Sequence, residues 1–461
     1  MRFDLVVMGG KVCSSAGIVE CDIGILGGKI ARISKLPLEA DVTVDARGQL
    51  VLPGTVDVHF HSRDPAFANR EDLTTGSRAA LSGGTTTLLE MPVSVPPVRD
   101  SKTLADRRKA LEGKSHVDYC LYGGCGTLRE DDILGQKDGG AVGFKVFLHE
   151  VPPGKESMME GLCITNDVDL IEALRIVAKA ELPCSIHAED ASILKYYTRM
   201  LKEGGRKDPL AFYEACPAAA EELAVRKVLT LMKLVSPRVH FAHVSSSSAL
   251  RPIREAKGLG YDVSAETCPH YLFFTRSDLQ RRGPYAKVSP PLRTREDVDD
   301  LWKGVRDGTI DIVASDHAPY RKEEKDKGID DIWSAPSGLA GGELLTSMVL
   351  SEFLRRRLPL PRLVQLLSTN PAQRFGLSHL KGDIRVGRDA DLTIINPNVQ
   401  WKVKAEDLLT RSKDGALLYD GLSLTGKITE VLLRGRVAFS EANVVGKPGE
   451  GRFLAPLAQA G

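Results

Sequence analysis

Between Thr55 and Ser315, eight short apolar runs alternate with longer stretches of helical periodicity. The runs are Thr55–Phe60, Thr85–Met91, Val117–Tyr122, Ala141–Phe147, Pro183–His187, Val239–Val244, Tyr261–Thr267 and Ile310–Ser315. Helical patterns separate most of them, among them Leu73–Ser82, Thr103–Glu112, Leu170–Ala180, Ala218–Leu234 and Ala249–Leu259. Strands joined by crossover helices read this way, because a parallel sheet covered on both faces needs nearly continuous apolar strands. Eight strands are also what closes a TIM-type (β/α)8 barrel. The α/β fold expected is therefore such a barrel over residues 53–382.

The flanks read differently. Leu5–Met8, Asp22–Leu26, Ile30–Ile33 and Val42–Val44 are short strands with glycine turns, and strands return at Leu392–Ile395, Ile428–Arg434 and Val437–Ser440. Residues 1–52 and 383–445 are expected to pair into one small β-sandwich domain beside the barrel. Residues 446–461 form a C-terminal tail containing glycine and proline, expected to be loosely attached. The opening Met1–Gly10 carries an acid and reads as a strand, not as a signal peptide.

Composition narrows the function. The 461 residues carry a formal net charge of +1, which gives no basic face for nucleic acid or an acidic membrane surface. No apolar run approaches the ~18 residues of a membrane span. The eight cysteines are scattered and form no Cys-x-x-Cys pair. They read as buried free thiols of a cytoplasmic protein.

Chemistry in a (β/α)8 barrel sits where the strands end. The first run ends in His59 and His61, two residues apart and so on one face of a strand. The fourth carries Lys145, the fifth ends in His187, the sixth in His243 and the eighth in Asp316. Taken singly, each has a plain reading: a satisfied core histidine, a strand end facing solvent, a helix cap. Lys145 is the odd one, because an ammonium inside an apolar strand is costly unless paired. Together they place four imidazoles, a carboxylate and an amine on one rim, a set suited to divalent metals. His270 and His317 read as residues that orient ligands. His116, His149, His240 and His379 read as structural or exposed.

The motifs Pro53-Gly54-x-x-Asp57-x-His59-x-His61, Gly143-Phe144-Lys145, His187-Ala188-Glu189, His243-Val244-Ser245, Glu266-Thr267-Cys268-Pro269-His270-Tyr271 and Ser315-Asp316-His317-Ala318-Pro319 resemble the cyclic amidohydrolases of the amidohydrolase superfamily. That group includes hydantoinase/dihydropyrimidinase, allantoinase and dihydroorotase, and the resemblance runs from Asp4 to about Gly451. It implies that CO2 converts Lys145 to a carbamate, N6-carboxylysine. It further implies that one metal takes His59, His61, Lys145 and Asp316, and a second takes Lys145, His187 and His243, with a hydroxide between them. Two divalent metals ~3.5–4 Å apart activate water and polarise a carbonyl. Zinc is expected for these donors, with Mn, Co, Ni or Fe as alternatives. The implied reaction is attack on the ring carbonyl of a small-molecule cyclic amide, with Asp316 moving the proton to the leaving nitrogen. By analogy with relatives, a homo-oligomer, dimer or tetramer, is expected.

The substrate residues are mixed. Dihydroorotases hold a carboxylate with an arginine after His-x-His, an asparagine after Met-Pro, and a histidine after Asp-His-Ala-Pro. Here these positions hold Arg63, Val93 and Tyr320. Ser289 stands where hydantoinases and allantoinases have serine, and Ser337-Gly338 where hydantoinases place an Asn-Gly against the ring. The stretches Val117–Gly124 and Gly283–Tyr285 look most like L-specific hydantoinases, and Lys381–Phe439 like allantoinases. The tyrosine of D-specific hydantoinases is replaced near His149 and Glu150. Arg63 either faces the pocket or pairs with Asp64 or Glu71. The leading expectation is a binuclear-metal hydrolase opening a hydantoin, dihydropyrimidine or allantoin. The alternative is a dihydroorotase. A non-catalytic scaffold relative is a minor third, disfavoured because all six ligand residues are present.

Overall fold

The computed structural model describes residues 2–457. Its centre is a closed ring of parallel strands. Thr55–Phe60 pairs with Thr85–Glu90, which pairs with Asp118–Leu121. Gly123–Gly124 continues that third strand past Tyr122 and pairs with the fourth, Phe144–Phe147. The ring runs on through Cys184–His187, Val239–Phe241, Val263–Thr267 and Ile312–Val313. It closes where Phe60 bridges in parallel to His317 and the His61 amide donates to the His317 carbonyl at 2.9 Å. All eight expected runs contain barrel strands. The helices Leu73–Ser82, Ser101–Leu111, Asp167–Ala180, Ala218–Val235 and Ser247–Gly258 stand where the helical periodicity put them.

The strands are buried at every position, as expected of a parallel sheet covered on both faces. Alternation then sorts the first strand. Val56 and Val58 join an apolar cluster with Leu89, Met91, Cys120, Tyr122 and Phe375. Asp57 and His59 take the other face, which carries the chemistry.

The two flanks meet in one nine-stranded sheet. Leu50–Pro53, not among the strands expected in the N-terminal flank, is itself a strand and pairs antiparallel with Leu392–Ile395. The sheet is continuous in its pairing and forks at its first strand, Phe3–Ser14. Leu5–Met8 pair with Val42–Asp45, whereas Lys11 and Val12 pair with Leu50 and Val51. The fork follows a register shift between Val7 and Gly10, where Gly9 adopts φ 61°. Residues from both flanks, such as Ile23, Val44, Val51, Leu392 and Leu432, share one apolar cluster.

The segment after Gly446 is a correction. The Tyr119 amide donates to the Arg452 carbonyl at 2.9 Å and the Leu454 amide donates to the Tyr119 carbonyl at 2.8 Å. The Arg108 guanidinium lies 4.3 Å from the Phe453 ring centroid. The third barrel strand meets the fourth mainly beyond Leu121, so its Asp118–Tyr119 end is free to bind this segment. Composition signals flexibility but not an available strand edge. At the same place Lys381 reaches Asp118 and Asp391 at 2.6 Å and Asp389 at 3.0 Å, all of them buried or nearly so. This cluster ties the barrel to the nine-stranded sheet.

Candidate active site

The loops at the C-terminal ends of the strands enclose a cavity of about 1020 Å3. Its lining includes His59, His61, His187, His243 and Asp316, together with Arg63, Val93, Ser289, Tyr320, Ser337 and Gly338. Lys145, fully buried, projects from the fourth strand. The ligand atoms of His59, His61 and Asp316 all lie within 4.8 Å of one another. Asp316 Oδ1 is 3.3 Å from His59 Nε2 and 3.8 Å from His61 Nε2. The His243 ring lies 5.3 Å from that of His59 and 4.5 Å from that of His187. Three residues at the rim hold left-handed backbone, Arg63 at φ 63°, His243 at 37° and Asp316 at 43°. Such a conformation costs of order 1–3 kcal/mol for a side chain with a Cβ, and surrounding structure must enforce it.

Buried carboxylates provide that enforcement at His243 and beside Asp316. Glu266, on the seventh strand, accepts from His59 Nδ1 at 2.5 Å, His240 Nε2 at 2.9 Å and the His243 amide at 3.1 Å. The His59 contact leaves Nε2 free to face Asp316. Burial would raise the Glu266 carboxyl, but His59 and His240 hold it below the usual carboxylate range. Asp57 accepts from the Ser315 amide at 3.0 Å and the His59 amide at 3.3 Å, joining the first and eighth strands behind the rim. Burial pushes its carboxyl up to about 6.

The donor atoms fit a divalent cation. Burial and neighbouring cations push His61, His187 and His243 well below the ordinary imidazole range, so they are neutral and have lone pairs to offer. His61 Nδ1, His243 Nδ1 and Lys145 Nζ are buried without hydrogen-bond partners among the described residues. Burial brings Lys145 down to about 8, against the pull of Glu266 and Asp316. An amine in that range is partly unprotonated near neutral pH and can add CO2. Burial raises the Asp316 carboxyl, which suits a group that both takes and returns a proton.

The substrate side has two characters. Phe67, Val93, Phe147, Val151, Met158 and Met159 form an apolar wall. Opposite in character is the surround of Tyr320, whose ring has the Arg63 and Arg70 guanidinium carbons each at 4.9 Å and Lys155 Nζ at 5.8 Å. Burial alone would raise the Tyr320 phenol, but these cations bring it down to about 8. Arg70 is paired with Glu324 at 2.6 Å. Arg63 has no carboxylate partner among the described residues: Asp64 pairs with Lys114 at 3.0 Å, and Glu71 accepts from Thr410 and the Arg411 amide. The pairing of Arg63 with Asp64 or Glu71 is thereby excluded. The Ser337–Gly338 loop is clamped by two buried lysine side chains. Lys287 donates to the Ile332 and Ala335 carbonyls at 2.7 and 2.6 Å, and Lys325 to the Lys287 and Pro336 carbonyls at 3.1 and 3.0 Å. A Cβ on Gly338 would lie 2.4 Å from the Ala318 carbonyl oxygen, so glycine is required there.

Some roles differ from expectation. The His317 ring stacks on Phe60 at 4.4 Å and accepts from the Gly342 amide, and His270 makes no side-chain hydrogen bond among the described residues; neither side chain bonds to a candidate ligand. His240, which reads as structural, braces the site through Glu266. His149 packs edge-on against His187 at 4.7 Å and lines the cavity. Glu266 and Glu189 received no individual role from sequence. The signal was available: a carboxylate inside an apolar run raises the same question as Lys145.

Comparison with known proteins agrees with this geometry. The profile of the Amidohydrolase family matches residues 50–438. An allantoinase of Solibacter usitatus (strain Ellin6076) is 35% identical, covering 99% of this chain and 97% of that protein. An L-hydantoinase of Paenarthrobacter aurescens is 34% identical, covering 98% of each. The solved structure of L-hydantoinase (dihydropyrimidinase) from Arthrobacter aurescens superposes with a TM-score of 0.94 at 34% identity, over 98% of this chain and all of that one. A rim of buried imidazoles and carboxylates on a closed barrel, matched from end to end, places the chain in the amidohydrolase family.

Proposed function

We propose that the protein hydrolyses a ring amide of a cyclic ureide, a hydantoin, dihydropyrimidine or allantoin. The observation that carries this reading is the convergence of His59, His61, His187, His243 and Asp316 on one cavity. It is supported by relatives named allantoinase and L-hydantoinase along their whole length. In this reading His59, His61, Asp316 and Lys145 as its carbamate would hold one divalent metal. The same carbamate, His187 and His243 would hold a second. The carbamate turns a buried cation into an anion with two oxygens, which removes the oddity of Lys145. Bound there, the metals, zinc by donor type, supply an activated water and polarise the ring carbonyl. Asp316 accepts the proton of the attacking water and returns it to the departing ring nitrogen. Glu266 and Asp57 keep His59 and the eighth strand in place while this occurs. Ser289 and the Ser337–Gly338 backbone orient the ring, and the apolar wall around Val93 excludes water from its far side.

The test is a panel of hydantoin, dihydrouracil, allantoin and dihydroorotate with the purified protein. At least one of the first three should open faster than dihydroorotate. No opening of any of the four would sink the reading. A second reading rests on Arg63, which is buried, lacks a carboxylate partner among the described residues and lies with Lys155 around Tyr320. A carboxylate on the ring would complete that cluster, which favours dihydroorotate or a similar acid. Val93 and Tyr320, in place of asparagine and histidine, argue against it. A strong preference for dihydroorotate, abolished by Arg63→Ala, would select this alternative.

A further inference from the structure

We propose that Glu189 is a positioning residue that fixes hydrogen-bond polarity at two points of the site. It makes His187 a donor through Nε2, and it makes Ser289 an acceptor toward the substrate, so the ring binds with an N–H facing Ser289. This rests on the ring-opening reading above.

Glu189 follows the fifth strand and is fully buried. Its Oε2 lies 2.8 Å from His187 Nε2 and 3.2 Å from Ser289 Oγ. Its Oε1 is buried with no hydrogen-bond partner. Among the described residues no lysine or arginine comes within ion-pair distance, and the one basic partner is the His187 imidazole. A carboxylate in such a place is costly to keep, so it is unlike the paired acids that brace the barrel elsewhere. What it offers is acceptor capacity: its Oε2 takes the Ser289 hydroxyl and faces the His187 ring nitrogen, and its Oε1 has a lone pair to spare.

The consequences follow from counting protons. His187 is a neutral imidazole with one N–H. Spending that proton at Nε2 leaves Nδ1 as its only lone pair, the atom left for a metal. Ser289 has one hydroxyl proton, and it is spent on Glu189. Ser289 is half-buried and lines the cavity, so what it presents there is lone pairs. A ligand atom at that point must be a donor. A cyclic ureide offers a ring N–H there, and a ring alkylated at that nitrogen does not. One carboxylate thus couples a metal ligand on the fifth strand to a substrate contact that arrives after the seventh.

The experiment uses the best ring from the panel and its N-methyl isomers, with wild type, Ser289→Ala and Glu189→Gln. Turnover of each is measured, along with zinc retained by each protein during dialysis against a chelator. Wild type should prefer the parent ring over one N-methyl isomer by roughly 10-fold or more. Ser289→Ala should lose most of that preference. Glu189→Gln should lose it as well, because its amide can donate to Ser289 and release the hydroxyl proton, and it should release zinc roughly 10-fold faster. A wild type indifferent to methylation at every ring nitrogen overturns the proposal. So does a Glu189→Gln variant with unchanged preference and unchanged zinc retention. Ser289→Ala, at a half-exposed position, keeps the test decisive if Glu189→Gln does not fold. If wild type opens no cyclic ureide, the ring-opening reading fails instead, and zinc retention alone decides the role of Glu189.

Discussion

Replacing Glu266 with glutamine isolates the brace behind the rim. The substitution keeps shape and volume and removes one charge. Glu266 is an acceptor for three donors, His59 Nδ1 at 2.5 Å, His240 Nε2 at 2.9 Å and the His243 amide at 3.1 Å. Its Oε1 serves His59 and His243, and its Oε2 serves His240. A glutamine oxygen can replace one of those two atoms, while its NH2 must face a nitrogen that was donating. One charge-assisted bond, worth ~1.5–3 kcal/mol, is therefore lost or inverted. If it is the His59 bond, the imidazole can switch tautomer and withdraw Nε2 from the rim. Expressed as metal affinity, the loss is about 10–100-fold. The assay is competition for zinc against a chromogenic chelator at fixed pH, with near-ultraviolet circular dichroism to confirm the fold. A folded Glu266→Gln protein that holds zinc as tightly as wild type would refute the argument.

Three further outcomes are expected. Lys145→Ala should lose most of the bound metal, measured by elemental analysis after gel filtration, and full retention would remove Lys145 from the ligand set. Gly338→Ala places a Cβ 2.4 Å from the Ala318 carbonyl oxygen and must shift its loop, at a cost of roughly 1–3 kcal/mol. KM for the ring substrate should rise with bound metal unchanged. Lys381→Met leaves Asp118, Asp389 and Asp391 without their shared ammonium, and urea unfolding should show a loss of ~3–5 kcal/mol. A change below ~1 kcal/mol would mean that Arg434, which also reaches Asp118, carries the cluster alone.

What could be read from sequence follows physical lines. Barrel strands are legible because burial on both faces forces apolar runs, and the first strand was placed to the residue, Thr55–Phe60. His59, His61, His187, His243 and Asp316 are legible because strand ends are where a barrel exposes polar side chains. The fate of Arg63 is not, because two nearby acids compete for it and only the fold spends Asp64 on Lys114 and Glu71 on Thr410. His240 lies within the sixth strand and His243 just past its end, and the bond of His240 to Glu266 depends on barrel stagger, which a single strand does not encode. The Gly446–Leu457 segment carries flexible composition, and its partner edge belongs to a strand over three hundred residues away.

The nine-stranded sheet has a consequence for biosynthesis. Its N-terminal strands emerge first and pair among themselves, yet Leu50–Pro53, which joins them to the rest of the sheet, has a partner made late, and beside it Thr429 bonds Gln49 across 380 residues of chain. At ~5–20 residues per second, translation of that interval takes roughly 20–80 s. Closing a loop of that length opposes pairing by about 5 kcal/mol of chain entropy, which only a finished barrel between the two ends removes. During that interval Leu50–Pro53 lies beside the growing barrel with its C-terminal partner still unsynthesised, an exposed strand edge of the kind that recruits other chains. The join between the two halves of the sheet therefore forms only after the barrel, and chain termination before Leu392 leaves that edge open for good.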